Sequence, residues 1–375
     1  MKVLVTGSSG FIGKNLCITL NLIKDIEVLH YNKSNSIEDL KKSVQDADFI
    51  FHLAGVNRPT EDGEYDEGNN KLTIKIIDLL RKKRGQTPIL ITSSIQAELD
   101  NLYGNSKRAA ENAIFAWHRE SGSAVYVYRL PGIFGKWCRP NYNSVVATFC
   151  NNIANKLPIE VSDSSRIIKL AYIDDVVECF THHLKSSEST NYLDFREVSR
   201  TFDISLGELK DRINTIRDIR SSLVIPNLDD ELNKFLYATY VSYLKKDDFG
   251  YKITKHTDQR GWLAEFVKSR FFGQIFISKT APGITRGNHW HNTKIEKFLV
   301  VAGKAQITFR NKINDQEIIS YTVSGDDMKV LDIPTGYVHA IKNVGDEDLI
   351  TIFWANEILD KEKPDTYYEN VREDG

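Results

Sequence analysis

The chain has 375 residues, which is enough for two domains of ordinary size. Its 49 basic and 51 acidic residues nearly cancel, which argues against nucleic acid or an anionic membrane as the main partner. No apolar run is long enough to span a bilayer, and the first residues lack a secretory signal pattern. The 4 cysteines show no paired spacing and indicate reduced thiols, so we expect a cytoplasmic protein.

A buried strand is predicted over residues 2–6, followed by a glycine-rich turn and a periodic helix. Strand, turn and helix in this order are the context of a dinucleotide-binding motif. Gly7 permits the tight turn, Gly10 lets a pyrophosphate approach the backbone, and Gly13 allows the helix to pack closely on the strand. The free N–H groups of the helix start favour phosphate. We therefore predict cofactor contacts from Gly7, Gly10, Phe11, Ile12 and Gly13.

The second strand, residues 27–30, is followed by Asn32 and Lys33 and by no acidic residue. A cofactor without a 2′-phosphate prefers Asp or Glu here, because the carboxylate accepts from the ribose hydroxyls. A cation without an acid favours the 2′-phosphate, so we predict NADPH rather than NADH. The alternative is that Lys33 is a solvated loop charge. A third strand, within residues 48–55, ends in a turn where Leu53 and Ala54 are expected to line the cofactor.

Ser94, Tyr103 and Lys107 form the predicted catalytic group. Ser94 follows a strand that begins near residue 88, and Tyr103 and Lys107, four residues apart, share one helix face. Reduction of a ketone requires hydride on carbon and a proton on oxygen. A tyrosine can donate that proton if a nearby ammonium lowers its pKa. We predict Tyr103 as the acid, Lys107 as its partner and ribose ligand, and Ser94 as the hydroxyl that fixes the carbonyl oxygen.

With these motifs, residues 1–240 resemble an extended short-chain dehydrogenase/reductase that acts on a nucleotide sugar. The resemblance implies that Arg166 contacts the substrate diphosphate; a surface salt bridge is the alternative. Gly132 stands where that family often has an asparagine. The nucleotide contact is therefore expected from Asn141 or Asn143 instead.

A polar junction over residues 245–250 divides the chain, so we predict domains at 1–246 and 247–375. Beyond it, short runs of β-branched and aromatic residues alternate with Gly, Asn and Asp, which is typical of a small antiparallel barrel or jelly roll. The predicted fold is an α/β Rossmann-type doubly wound parallel sheet followed by an all-β barrel. The strand-like runs of the second half are 274–278, 297–301, 305–309 and 318–323.

Four residues of the second half predict a metal site. His289 and His291 would share one face of a strand, Glu296 could return across a hairpin, and His339 lies in a later segment. Three imidazoles and one carboxylate suit a borderline divalent metal, with zinc as the first candidate. The alternative is a polar sheet face that binds nothing.

The two-part spacing of these residues resembles the cupins, and neighbouring segments resemble the cupin-fold nucleotide-sugar 3,5-epimerases. In those enzymes the histidine that matches His289 is a base and no metal is needed. His289 thus has two competing roles, of which we favour ligand. The metal could be catalytic or structural, and the candidates for the acid and base of epimerisation include His289, Lys294 and Tyr337.

A reductase joined to an epimerase-like barrel resembles a bifunctional family of capsule and O-antigen synthesis. The resemblance implies a homodimer acting on a UDP-2-acetamido-2,6-dideoxy-hexos-4-ulose. The cupin domain would epimerise C3, and NADPH-dependent reduction of C4 would then give UDP-N-acetyl-6-deoxy-L-talosamine for UDP-N-acetyl-L-fucosamine. Two alternatives remain: a redox-neutral UDP-sugar 4-epimerase with an accessory cupin domain, and a non-enzymatic sensor that binds NADPH and a small ligand.

Overall fold

The structure is a computed structural model that divides into two compact units. The first comprises Met1–Ile213 and Phe235–Leu244, and the second Asn214–Lys234 and Lys245–Gly375. The predicted domain boundary between residues 246 and 247 lies outside the described residues. The structure describes residues 1–372 except 62, 84–85, 185–194, 246–247, 249–250, 252, 292–293, 295, 312–313, 328 and 334–335.

The first unit is organised around a sheet of six parallel strands, in the order β2-β1-β3-β4-β5-β8. These strands are β1 (Lys2–Thr6), β2 (Glu27–Tyr31), β3 (Phe49–His52), β4 (Ile89–Ser94), β5 (Val125–Leu130) and β8 (Phe195–Arg196). All four residues of β3 are buried, because helices cover both faces of a parallel sheet. The predicted doubly wound α/β fold is confirmed.

Nine α-helices occur in the described part of the chain, together with a second, smaller sheet. The helices are α1 (Phe11–Asn21), α2 (Ile37–Asp46), α3 (Gly63–Tyr65), α4 (Leu72–Lys82), α5 (Leu102–Ser121), α6 (Val145–Ala154), α7 (Ile173–His182), α8 (Leu206–Ser222) and α9 (Glu231–Val241). The small sheet has the order β6-β7-β9, formed by β6 (Gly132–Phe134), β7 (Ile167–Tyr172) and β9 (Phe202–Ser205). None of the described helices combines the length and apolar character needed to cross a membrane.

Local sequence explains how α2 closes over the sheet. The Ser36 hydroxyl accepts from Asp39 N at 3.1 Å, and the Asp39 carboxylate accepts from Ser36 N at 2.9 Å. This reciprocal capping box satisfies two donors that a helix start otherwise leaves unpaired. The helix then buries Leu40 and Val44 in the core that also contains Leu4 of β1.

The second unit is built around two antiparallel sheets. Their orders are β10-β11-β12-β19-β14-β17 and β16-β15-β18-β13-β20. The strands are β10 (His256–Asp258), β11 (Gly261–Ser269), β12 (Gly273–Thr280), β13 (Thr285–Trp290), β14 (Glu296–Ala302), β15 (Lys304–Asn311), β16 (Asn314–Ser324), β17 (Val330–Ile333), β18 (Tyr337–Asn343), β19 (Leu349–Ala355) and β20 (Tyr367–Tyr368). The four predicted runs lie within β12, β14, β15 and β16, and the predicted jelly-roll barrel is confirmed.

The core of this barrel is filled by alternate residues of both sheets. Phe298 of β14 and Phe353 of β19 meet edge to face, with ring centroids 4.7 Å apart. Ile307 of β15 and Ile341 of β18 pack in the same cluster from the other sheet. Successive residues of a strand face opposite sides of the sheet. The residues next to these core positions in sequence therefore point away from the core.

Candidate active sites of the two units

The glycine-rich turn of the first unit forms a cradle that only glycine fits. Gly7 has a φ of 68°, and a Cβ on it would lie 2.8 Å from Ala54 N. A Cβ on Gly13 would lie 2.2 Å from the carbonyl oxygen of Gly7. Helix α1 follows Gly10, and no side chain among the described residues caps it. Its free N–H groups and close backbone approach fit the pyrophosphate of a dinucleotide.

The other predicted cofactor residues border this cradle. Phe11 and Ile12 begin α1 and are half-buried. Leu53 and Ala54 follow β3, and both bind Thr6 at the end of β1. Leu53 N donates to the Thr6 carbonyl at 3.2 Å, and Ala54 N donates to the Thr6 hydroxyl at 3.2 Å. The turns after β1 and β3 are therefore held side by side at the carboxyl edge of the sheet, where ligands of this fold bind.

Asn32 and Lys33 have different surroundings: Asn32 is hydrogen-bonded to the glycine-rich turn, and Lys33 is exposed. The Asn32 amide donates to the Ser8 hydroxyl at 2.9 Å, and its oxygen accepts from Ser9 N at 2.7 Å. Asn32 thus fixes the glycine-rich turn. Lys33 is exposed at the end of β2, where a ribose-binding acid would otherwise stand.

The structure brings Ser94, Tyr103 and Lys107 together at the end of β4 and the start of α5. A hydrogen bond links Tyr103 to Ser94. Lys107 Nζ lies 6.0 Å from the centroid of the Tyr103 ring and donates to the Thr92 carbonyl at 3.1 Å. This is the arrangement of a proton donor, a hydroxyl and an ammonium that carbonyl reduction needs.

The electrostatics of this group differ from the expectation that Lys107 lowers the pKa of Tyr103. Burial raises the pKa of Tyr103, and the hydrogen bond with Ser94 only partly opposes it. Burial also lowers the pKa of Lys107 to about 8, with the negative charge of Glu111 acting in the opposite direction. Tyr103 therefore holds its proton at neutral pH, which suits a general acid.

A tight contact sets the position of Tyr103. The Asn101 side chain caps α5 by accepting from Gly104 N at 2.8 Å. A Cβ on Gly104 would lie 2.3 Å from the Gln96 carbonyl oxygen, so only glycine allows the first turn of α5 to approach the short helical turn after β4. That approach places Tyr103 beside Ser94.

Asn69 is a site residue that the sequence did not indicate. It lies in a π-helical turn, Asp66–Lys71. Its side chain accepts from Val56 N at 2.9 Å and donates to the Val56 carbonyl at 3.1 Å and to the Ser106 hydroxyl at 3.0 Å. Asn69 thereby fixes the loop at Gly55, where a Cβ would lie 3.0 Å from Lys107 Nζ. Such turns frequently occur at functional sites, but they leave no clear sequence pattern.

The predicted substrate contacts lie in exposed loops. Asn141, with a φ of 54°, and Asn143 flank Tyr142. The guanidinium groups of Arg139 and Arg58 lie 5.0 and 6.0 Å from the Tyr142 ring centroid. Neither arginine has an acidic partner among the described ion pairs. The sequence did not indicate Arg58 and Arg139 as site residues, because they are far apart along the chain and lie in different loops.

The third predicted substrate residue, Arg166, is exposed immediately before β7. Its carbonyl accepts from Leu206 N at 3.0 Å, so its backbone is fixed by the start of α8. The Arg166 charge acts on Asp163, whose pKa is lowered first by hydrogen bonds from Ser165. A role for Arg166 in binding diphosphate stays a prediction.

In the second unit, the four predicted metal ligands converge. The nearest ligand atoms of His289, His291, Glu296 and His339 all lie within 4.8 Å of one another. His289 pairs directly with His339 across β13 and β18. A β-bulge before His289 shifts the register, which is a common way to re-aim a side chain at a site.

The donor atoms of this cluster fit a divalent metal. His339 Nδ1 donates to the Tyr337 carbonyl at 3.3 Å, which leaves its Nε2 as a lone-pair donor. That Nε2 is buried and has no hydrogen-bond partner among the described residues, although it lies 3.3 Å from Glu296 Oε2. Burial is the main cause that lowers the pKa of His289 to about 4, so its imidazole is neutral at neutral pH. Neutral imidazoles and one carboxylate are ligands that zinc takes.

Two of the predicted acid–base candidates already have hydrogen-bond partners. Lys294 is buried, and its Nζ donates to the Pro364 carbonyl at 2.8 Å and the Thr366 hydroxyl at 3.0 Å. The Tyr337 hydroxyl donates to Glu317 at 3.1 Å. His289 lies in the ligand cluster, where the roles of ligand and base compete.

Comparison with known proteins agrees with this architecture. Residues 3–193 match the NAD dependent epimerase/dehydratase family, and residues 256–367 match the polysaccharide biosynthesis C-terminal domain. A Pseudomonas aeruginosa protein named UDP-2-acetamido-2,6-beta-L-arabino-hexul-4-ose reductase is 43% identical over 373 residues and is covered over 100% of both chains.

Solved structures agree as well. The capsular polysaccharide assembling protein CapF from Staphylococcus aureus matches with a TM-score of 0.92 and 43% identity, over 99% of this chain and 100% of that one. UDP-glucuronic acid 4-epimerase from Bacillus cereus matches with a TM-score of 0.52 and 18% identity, over 58% of this chain and 83% of that one. The latter likeness shows the fold alone.

The chain therefore belongs to the NAD dependent epimerase/dehydratase family. Its second domain and its full-length similarity place it, within that class, among the capsular polysaccharide enzymes that join a short-chain dehydrogenase/reductase domain to a cupin domain.

Proposed function

We propose that this chain is a bifunctional nucleotide-sugar enzyme. The cupin domain epimerises C3 of a UDP-2-acetamido-2,6-dideoxy-hexos-4-ulose. The N-terminal domain then reduces the C4 ketone with NADPH, giving UDP-N-acetyl-6-deoxy-L-talosamine for UDP-N-acetyl-L-fucosamine and capsule synthesis. The observation that carries the proposal is the grouping of Ser94, Tyr103 and Lys107 beside a dinucleotide cradle, on a chain whose 43% identical relative is named as a 4-ketose reductase.

In the reductive step, NADPH supplies the hydride when bound. Tyr103 donates a proton to the C4 oxygen, and Ser94 holds that oxygen by a hydrogen bond. Lys107 stays charged below its pKa of about 8 and binds the ribose of the cofactor. The exposed Lys33 favours the 2′-phosphate that distinguishes NADPH from NADH.

The epimerisation step depends on the acidity of the C–H bond next to a ketone. The C4 carbonyl acidifies the C3–H, because the resulting carbanion is delocalised onto oxygen as an enolate. A base removes the proton, and a donor returns one on the opposite face. Stabilising the enolate oxygen is generally the larger part of such a barrier.

We assign His289, His291, Glu296 and His339 to a divalent metal, with zinc as the first candidate. Bound there, the metal would either polarise a substrate oxygen or close a structural shell. The neutral His289 serves as a ligand in this assignment. The base of epimerisation then comes from another residue of the barrel.

The same chemistry fixes the order of the two steps. C3 can invert only while C4 is a ketone, so epimerisation comes first and reduction then prevents its reversal. We propose Arg166, Asn141 and Asn143 as substrate contacts. Arg58 and Arg139, which meet at Tyr142, are further cations that could engage the diphosphate. By analogy with both domain families, the protein is proposed to act as a homodimer in the cytoplasm.

The test is incubation of the purified chain with the 4-keto UDP-sugar and NADPH, followed by NMR of the product. One NADPH oxidised per sugar, with inverted C3 and a hydroxyl at C4, is the expected result. A redox-neutral UDP-sugar 4-epimerase would instead interconvert C4 epimers without net NADPH oxidation. A sensor would bind NADPH and leave the sugar unchanged.

A further inference from the structure

Residues 364–371, called the strap below, run alongside the strand that carries the first metal ligand. Within it, β20 pairs with β13, so that Tyr368 lies opposite His289 and Tyr367 opposite Trp290. The rings of Trp290 and Tyr367 stack with centroids 4.7 Å apart. At the far end of the strap, Val371 is buried and only 3% exposed. The strap is thus packed onto the barrel beside the ligand cluster.

Lys294 holds the beginning of this strap by hydrogen bonds. It stands between His291 and Glu296 in sequence and is only 5% exposed. Its Nζ donates to the Pro364 carbonyl at 2.8 Å and to the Thr366 hydroxyl at 3.0 Å, and its backbone N donates to the Asp365 carboxylate at 2.9 Å. Burying an ammonium is costly unless its hydrogen bonds are satisfied. Here two of its donors go to the strap, on either side of Asp365.

Asp365 in turn orients a metal ligand. His291 Nδ1 lies 2.6 Å from the Asp365 carbonyl oxygen. A carbonyl can only accept, so Nδ1 carries a proton, and in a neutral imidazole the lone pair is then on Nε2. That Nε2 lies 3.2 Å from Glu296 Oε2, inside the ligand cluster. The hydrogen bond therefore fixes both the tautomer and the ring orientation that a metal requires.

We propose that Lys294 is a positioning residue for a divalent transition metal. By holding residues 364 and 366, it places the Asp365 carbonyl where it makes His291 an Nε2 ligand. The strap is then part of the metal centre, although it supplies no ligand. This inference rests on the proposed metal site, and not on the reductase activity.

The test measures zinc affinity of the full-length chain by competition with a chromophoric chelator, after metal has been removed and returned. Lys294→Met and Thr366→Val should each weaken zinc binding about 10–100-fold, the range typical for residues that orient a ligand. Thr366→Ser keeps the hydroxyl and should bind as the unaltered chain does. The matched control is Lys304→Met, which removes an exposed lysine of β15 and should change nothing.

A cobalt-substituted sample gives a second readout, because its visible spectrum reports ligand geometry. The spectrum should change in Lys294→Met and Thr366→Val and stay unchanged in Thr366→Ser. The proposal is overturned if both variants melt at a lower temperature in the metal-free form yet bind zinc with unaltered affinity, since Lys294 would then only stabilise the fold. If the unaltered chain binds no zinc, the proposed metal site fails with it, while NADPH-dependent reduction would remain a separate measurement.

Discussion

Replacing Tyr103 with phenylalanine should separate the two activities. The change removes one hydroxyl and keeps the ring, which packs against Tyr65 with centroids 5.7 Å apart. Among the residues that the structure describes, the hydroxyl loses its hydrogen bond with Ser94, so the cost to folding should be about 1 kcal/mol. The chemical cost is larger, because the proton donor of the reduction disappears.

The expected loss can be estimated from what a general acid contributes. Removing such a group typically slows a reaction about 10²–10⁴-fold, equivalent to roughly 3–5 kcal/mol of transition-state stabilisation. Burial raises the pKa of Tyr103, so in the unaltered enzyme this proton is fully present at neutral pH. Tyr103→Phe should thus lose reduction at every pH near neutrality.

The assay follows NADPH oxidation in single turnovers, together with proton exchange at C3 of the substrate. Tyr65→Phe is the matched control, because it removes the neighbouring hydroxyl, which donates to the Asn57 carbonyl at 3.4 Å. We expect Tyr103→Phe to keep exchange at C3 and the control to keep both activities. Reduction within about threefold of the unaltered rate would refute the assignment, as would a simultaneous loss of exchange.

Three further predictions concern the cofactor side of the first unit. Burial lowers the pKa of Lys107 to about 8, so its charge is present below that pH and lost above it. The kcat/KM for reduction should therefore fall as the pH rises through this value. A flat pH profile would contradict the role of the ammonium. Gly13→Ala would place a Cβ 2.2 Å from the Gly7 carbonyl oxygen. It should cost about 1–3 kcal/mol by chemical denaturation and weaken NADPH binding by fluorescence titration. Lys33→Glu should shift the kcat/KM ratio towards NADH by at least about tenfold, the value of one charge-assisted hydrogen bond; an unchanged ratio would show Lys33 to be a solvated charge.

Site residues could be located from sequence where their spacing is imposed by regular structure. Tyr103 and Lys107 are one helical turn apart, and Ser94 ends a strand, so the strand–turn–helix pattern predicts their meeting. The two-segment spacing around His289 and His339 similarly predicts a cluster of metal ligands. Both groups do come together in the structure.

Features that depend on tertiary packing could not be predicted in this way. Asn69 lies in a π-helical turn, and from there its side chain reaches Val56 and Ser106. The Asp365 carbonyl that orients His291 lies more than seventy residues away along the chain. The direction of the Tyr103 pKa was also wrong from sequence, because burial, which outweighs the other influences, is not visible in a motif.

The most direct test of the two-step account uses deuterated water and the 4-keto UDP-sugar. Without NADPH, the chain should introduce deuterium at C3 and leave C4 a ketone. With NADPH, the product should carry deuterium at C3 and should form with one equivalent of NADPH oxidised. Reduction that leaves C3 free of deuterium, or exchange that requires NADPH, would contradict the claim that epimerisation precedes reduction at two separate sites.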